Sequence, residues 1–130
     1  MELIEATAFT RSLPKYLQDD EYRELQHLLA ESPQLGDVIP GTGGFRKVRW
    51  VDERRGKGKR GGLRIIYFYF EQDEQIWLLT VYGKDEAADL SREQKRALHA
   101  AITAEKAARK ATRTRRKQGG KAYGKAGRIQ

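Results

Sequence analysis

The sequence predicts one α+β domain: a small antiparallel sheet with N-terminal helices packed on one face, in the order β-α-α-β-β-β-α. Three observations predict it. The 130 residues suit one domain with one modest core. Strand-like runs cluster at residues 45–51, 63–70 and 76–82. Helical apolar stripes flank that cluster, near residues 22–29 and 97–102.

LIEATAFT, from Leu3, mixes β-branched and apolar residues and reads as a first strand. Pro14 then suits a turn or a helix start. Asp19 or Asp20 can cap the next helix, which places Tyr22, Leu25, Leu28 and Leu29 on one face. It ends near Ser32, because Pro33 disfavours helix at the residue before it. Leu35 to Gly44 reads as loop, with one proline and four glycines. Phe45 to Val51 is the second strand. Its alternation puts Arg46, Val48 and Trp50 on one face and Lys47, Arg49 and Val51 on the other. Asp52 to Gly62 reads as a flexible basic loop. Leu63 to Phe70 is apolar on both faces after Arg64, as a central strand would be. Ile76 to Tyr82 follows a polar turn and completes an antiparallel hairpin. Leu90 to Ala104 is the last helix, with Ser91 and Gln94 as a capping box and Ala97, Leu98, Ala101 and Ile102 as its stripe. These elements define a domain over 1–104. Residues 105–130 form a basic C-terminal tail, helical to about Lys110 and then disordered, since Lys, Arg, Ala and Gly leave almost nothing to bury. With both helices on one face, the other face is left partly open, and Lys47 and Arg49 point there.

The net charge of +8 is unevenly spread. Residues 1–43 carry three basic and eight acidic groups, and 67–103 carry four and seven. Residues 44–66 carry nine and two, and 104–130 carry ten and one. Two positive blocks on an acidic chain imply a polyanion partner, most often nucleic acid or the ribosome. No apolar run approaches the roughly 18 residues of a membrane span, and the acidic start lacks the pattern of a signal peptide. A cytoplasmic protein without a membrane role is the expectation.

Several chemistries are excluded. Without cysteine there is no disulfide, thiol nucleophile or cysteine-bound zinc. His27 and His99 are far apart in separate helices, and no His or carboxylate cluster has ligand spacing, so no metal is expected. GTGGFRK, from Gly41, suggests a backbone bent around an anion. It lacks the G-x-x-x-x-G-K-[ST] pattern, however, and precedes a strand instead of a helix. No small-molecule cofactor is implied.

What remains is a cationic constellation of Arg46, Lys47, Arg49, Lys57, Lys59, Arg60, Arg64 and Lys84. The hairpin brings Arg64, at one strand's start, near Lys84, just past its partner's end. Lys47 and Arg49 approach from the neighbouring strand, and Tyr67 and Tyr82 can stack on bases or donate a hydroxyl. A generic phosphate-binding patch accounts for these residues. So does a metal-free ribonuclease, in which the RNA 2′-OH attacks the adjacent phosphorus and the 5′-oxygen leaves. Arginine cannot act as the base, but its fork suits phosphate oxygens. Lysine must then move the proton. With an ordinary pKa of about 10.4 it is a poor base at pH 7 unless like charges crowd it. Such an enzyme is slow unless something else orients the RNA.

GDVIPGTGGFRKVRW, GKGKRGGLRIIYFYF and LLTVYGKDEAADLS, in that order and spacing, resemble the RelE/HigB branch of bacterial type II toxin–antitoxin toxins, within the RelE/ParE superfamily. The resemblance covers residues 2 to about 104. It implies a ribosome-dependent messenger-RNA endonuclease, or mRNA interferase, that cuts the codon in the A site, with the ribosome orienting the RNA. The family's catalytic strand cations fall on Lys47 and Arg49, its phosphate-stabilising arginine on Arg64, and its lysine after the final strand on Lys84. Where RelE-like members carry a further arginine and then a catalytic tyrosine, this chain has Asp85 and the Leu90–Ser91 pair. Tyr67, Tyr82 and Lys84 stay open as substitutes. The basic loop, with Arg54, Arg55, Lys57, Lys59 and Arg60, would grip ribosomal RNA. The implied partners are the ribosome, its messenger and a cognate antitoxin of the HigA helix-turn-helix type. ParE-like members of the same fold poison DNA gyrase, which keeps gyrase inhibition as an alternative beside a non-catalytic RNA- or ribosome-binding module.

Overall fold

The computed structural model describes residues 1–50, 62–83 and 89–126. The elements follow in the order β1 (Glu2–Glu5), α1 (Thr7–Tyr16), α2 (Asp19–Glu31), β2 (Asp37–Val38), β3 (Arg46–Trp50), β4 (Leu63–Phe70), β5 (Gln75–Gly83) and α3 (Arg92–Ala126). This is an α+β fold with one five-stranded sheet, ordered β1-β5-β4-β3-β2. The apolar run at 63–70 does sit at the sheet's centre. The sheet is mixed, not wholly antiparallel, because β1 pairs with β5 in parallel. Chain neighbours joined by a tight turn must run antiparallel, but β1 and β5 are separated by almost the whole fold and escape that constraint.

The first strand is shorter than LIEATAFT suggested. It ends at Glu5, and α1 begins at Thr7. Phe9, Leu13 and Leu17 recur every fourth residue, and Phe9 and Leu17 are buried, so burial on a helical face overrides the local β-propensity. Pro14 lies inside α1, where it removes one helical N–H, and the helix stops two residues later. Neither Asp19 nor Asp20 is the cap of α2. Gln18 is, and its N–H donates to the Glu21 carboxylate at 2.7 Å. The two aspartates occupy the first turn, where negative charge suits the helix's positive end.

Strand alternation divides the core. Helices α1 and α2 bury Phe9, Leu25 and Leu29 against Val48, Ile65, Tyr67, Leu78 and Val81. On the second face Phe45, Ile66, Phe68 and Phe70 pack with Ile102 of α3. The C-terminal helix therefore covers part of the face expected to be open. It begins with the anticipated capping box: the Ser91 N–H donates to Gln94 Oε1 at 2.8 Å, and the Gln94 N–H to Ser91 Oγ at 3.1 Å. It then runs along β4 to the β4–β5 turn.

The helix continues well past Lys110. Its inward stripe passes from Leu98 and Ile102 to Glu105 and Arg109. The Arg109 guanidinium lies 3.7 Å from the Phe70 ring centroid and 5.3 Å from that of Trp77. It also donates to Glu105 and Asp73, each at 2.8 Å. A flat cation on aromatic faces does what a leucine would do here. The Asp73 carboxyl is held below its ordinary range, chiefly by the Arg109 hydrogen bond.

The glycine-rich loop packs against this helix. Thr42 is fully buried; its hydroxyl donates to the Ile39 carbonyl at 2.7 Å and accepts from the Phe45 N–H at 3.1 Å, closing the loop. Gly43 has φ +81°, and a Cβ there would lie 2.8 Å from Ile102 Cγ2 and 2.9 Å from His99 Cδ2. At Gly43 a side chain is excluded because α3 rests on the loop there. No helix among the described residues is long and apolar enough to cross a membrane.

Candidate nucleic-acid interface

Alternation along β3 places Lys47 and Arg49 on the α3 face, beyond the stretch that α3 covers. The antiparallel register sets Arg49 opposite Arg64, and Arg64 opposite Tyr82. The row crosses three strands, so its outer members are about 10 Å apart. Arg49 is exposed, whereas Arg64 is only 8% exposed and has one guanidinium N–H directed to the Leu63 carbonyl at 3.4 Å. Two arginines directly opposite cost the sheet a few tenths of a kcal/mol or more. The register thus sets two guanidinium-bearing residues side by side on neighbouring strands of this face.

Lys47, two residues along, lies opposite Ile66, and its ammonium is 3.2 Å from the Asp89 carboxylate. Asp89 is 83% exposed, so the pair is strongly screened and worth under about 1 kcal/mol. An incoming phosphate can displace it. Beside Lys47 lies a pocket of about 300 Å³ whose walls include Ile66, Tyr82, Leu90 and Lys95. Tyr82 is half-buried there.

Two residues proposed from sequence for RNA contact are committed elsewhere. Arg46 faces the α1–α2 side, where its guanidinium donates to the carbonyls of Gln34 at 3.1 Å and Gly36 at 2.7 Å. It clamps the loop that follows α2. Tyr67 is fully buried, so no ring face is left to stack on a base. Its hydroxyl donates to the Pro33 carbonyl and accepts from the Gly36 N–H, both at 2.8 Å. Burial pushes its pKa up. Lys84, Arg54, Arg55, Lys57, Lys59 and Arg60 lie outside the described residues.

Sequence reasoning missed Asp89 and Lys95. Asp89 precedes the capping serine and reads as a polar lead into the helix. Lys95 is one of several cations there, and its stem packs beside Gly41, its Cδ 3.7 Å from where a Cβ would sit, an ordinary contact. No group of three or more potential metal ligands occurs among the described residues. His99 rests against the Gly43 loop, and His27 lies on α2.

No family model matches the chain. It is similar to solved structures of the E. coli toxin RelE. A RelE mutant in the free state matches at 20% identity over 67% of this chain and 85% of that one, with a TM-score of 0.47. The intact E. coli RelBE toxin–antitoxin complex matches at 17% identity over 66% and 98%, with a TM-score of 0.48. The isolated RelE toxin matches at 15% identity over 77% and 97%, with a TM-score of 0.46.

Proposed function

We propose that the chain is the toxin of a toxin–antitoxin module, a metal-free endoribonuclease that cleaves messenger RNA in the ribosomal A site. The observation that carries this reading is the cross-strand Arg49–Arg64 pair with Lys47 beside it. Lys47, Arg49 and Arg64 lie on one sheet face, with Arg49 directly opposite Arg64, where two guanidinium forks suit the oxygens of one phosphate. The sequence motifs that resemble RelE/HigB toxins include the same residues.

In the proposed reaction the 2′-oxygen gives up its proton and bonds to phosphorus, and the bond from phosphorus to the 5′-oxygen breaks. The products are a 2′,3′-cyclic phosphate and a 5′-hydroxyl. Arg49 and Arg64 hold the non-bridging oxygens and take up the charge that grows on them. Lys47 exchanges Asp89 for the substrate and serves in proton transfer, with Tyr82 half-buried nearby and Lys84 assisting. The ribosome supplies the orientation that so sparse a site lacks. A cognate antitoxin, HigA-like with a helix-turn-helix, keeps the site covered until it is removed.

Induced expression separates the classes. Growth arrest with messenger loss, abolished by Arg49→Ala and Lys47→Ala while both proteins stay folded, supports the nuclease. Growth arrest with intact messenger and relaxed plasmid DNA would overturn it in favour of gyrase inhibition.

A further inference from the structure

We infer that the pocket beside the cationic row is a nucleobase subsite, which takes the base of a nucleotide adjoining the held phosphate and favours cytosine and adenine over uracil and guanine. The inference rests on the proposed nuclease reading and deepens it. Lys47 borders both the row and the pocket, so a nucleotide whose phosphate meets Arg49 and Arg64 has its base within reach of the cavity.

The lining is wrong for a second phosphate and right for a base. Its floor is Ile66, fully buried, with Ile39, Leu90 and the half-buried Tyr82 as walls. An anion gains nothing from such surfaces, whereas the flat faces of a base do. The rim carries both signs. Lys47 and Lys95 donate; Asp37 and Asp89 only accept. Two carboxylates at the mouth would repel a phosphate, but they match the 4-amino group of cytosine and the 6-amino group of adenine. Uracil and guanine offer a carbonyl oxygen at the corresponding position of their edge and meet a carboxylate unfavourably there. The volume, about 300 Å³, is at the small end for ligand sites and suits a base with its sugar rather than a stretch of strand. Asp89 is suited to the reading role because, among the described residues, its ion pair with Lys47 is an exposed one. When a base enters, its carboxylate can turn from the Lys47 ammonium to the amino group, leaving that ammonium to the phosphate.

The test uses the full chain and short 2′-O-methyl oligonucleotides, which cannot be cleaved, differing only in one central base. Affinities are measured by fluorescence anisotropy at low salt. Cytidine and adenosine should bind roughly threefold to tenfold tighter than uridine and guanosine, as one net hydrogen bond gives. Asp89→Asn, on an exposed side chain, leaves the fold intact and provides a donor for the uracil carbonyl. It should narrow the ratio to within about twofold, chiefly by improving uridine. Equal affinities for all four bases in the unaltered protein, or no binding to any, would overturn the subsite. A ratio unmoved by Asp89→Asn and by Asp37→Asn would overturn the assigned readers. Base preference without cleavage of messenger on ribosomes would refute the nuclease reading while leaving the base site standing. Cleavage without base preference would do the reverse.

Discussion

Replacing Arg109 with alanine should loosen the whole C-terminal third of the molecule. The guanidinium is 16% exposed and lies 3.7 Å from the Phe70 centroid, so its largely desolvated cation–π contact is worth about 1–2 kcal/mol. Its partners Asp73 and Glu105 are 29% and 33% exposed, which limits each 2.8 Å ion pair to roughly 0.5 kcal/mol. The sum is roughly 2–3 kcal/mol, or a lowering of Tm by roughly 6–12 °C in a domain of this size. Calorimetry on the full chain measures it, with far-UV circular dichroism reporting helix lost from α3. Arg109→Lys keeps the charge but not the flat fork, and should recover less than half of the loss. Lys110→Ala, one residue away and exposed, should change stability by less than about 0.5 kcal/mol. A Tm for Arg109→Ala within about 2 °C of the parent would refute the stacked arginine as the anchor of α3.

Tyr67→Phe leaves the Pro33 carbonyl and the Gly36 N–H without their buried partner, so urea denaturation should show a loss of about 2–3 kcal/mol. Gly43→Ala should cost about 2 kcal/mol or more by the same measurement, since it combines φ +81° with a Cβ 2.8 Å from Ile102. Arg49→Ala should leave Tm unchanged or slightly raised, because it relieves a like-charge pair, while RNA cleavage falls by about 10²-fold or more. The Asp73 carboxyl is lowered in the folded state, so its contribution is present above the unfolded pKa of about 3.9 and is lost as pH falls through the folded value. The Tm difference between the parent and Asp73→Asn should therefore be flat from about pH 5 to 8 and shrink below about pH 4.

The sheet's centre was legible because β4 is apolar on both faces after Arg64, and two-residue alternation alone assigned Lys47 and Arg49 to a shared face. The Ser91–Gln94 cap was legible because it is a local pattern. Other features depend on contacts between distant residues. Thr7–Leu13 has β-branched and apolar residues that suit either state, and burial of Phe9 against the sheet decides for helix. The parallel pairing of β1 has no local signature. The long reach of α3 was hidden because Arg109 counts as charge in a sequence and as hydrophobic mass against Phe70 and Trp77. Within the site, Arg46 and Arg49 look alike in RKVRW, yet pleating sends one to clamp backbone carbonyls and the other to solvent. Tyr67 and Tyr82 differ for the same reason: the face that Tyr67 occupies is sealed by α1 and α2. Asp89 and Lys95 became visible only once the loop and α3 were brought together.

The most direct test of the central claim maps the 5′ ends of a messenger in a purified translation system, with the protein added in the presence and absence of ribosomes. The account predicts new 5′-hydroxyl ends within A-site codons only when ribosomes are present, formed about 10²-fold or more slowly with Arg49→Ala. Intact messenger under active translation, or the same ends formed as fast with Arg49→Ala, would contradict it.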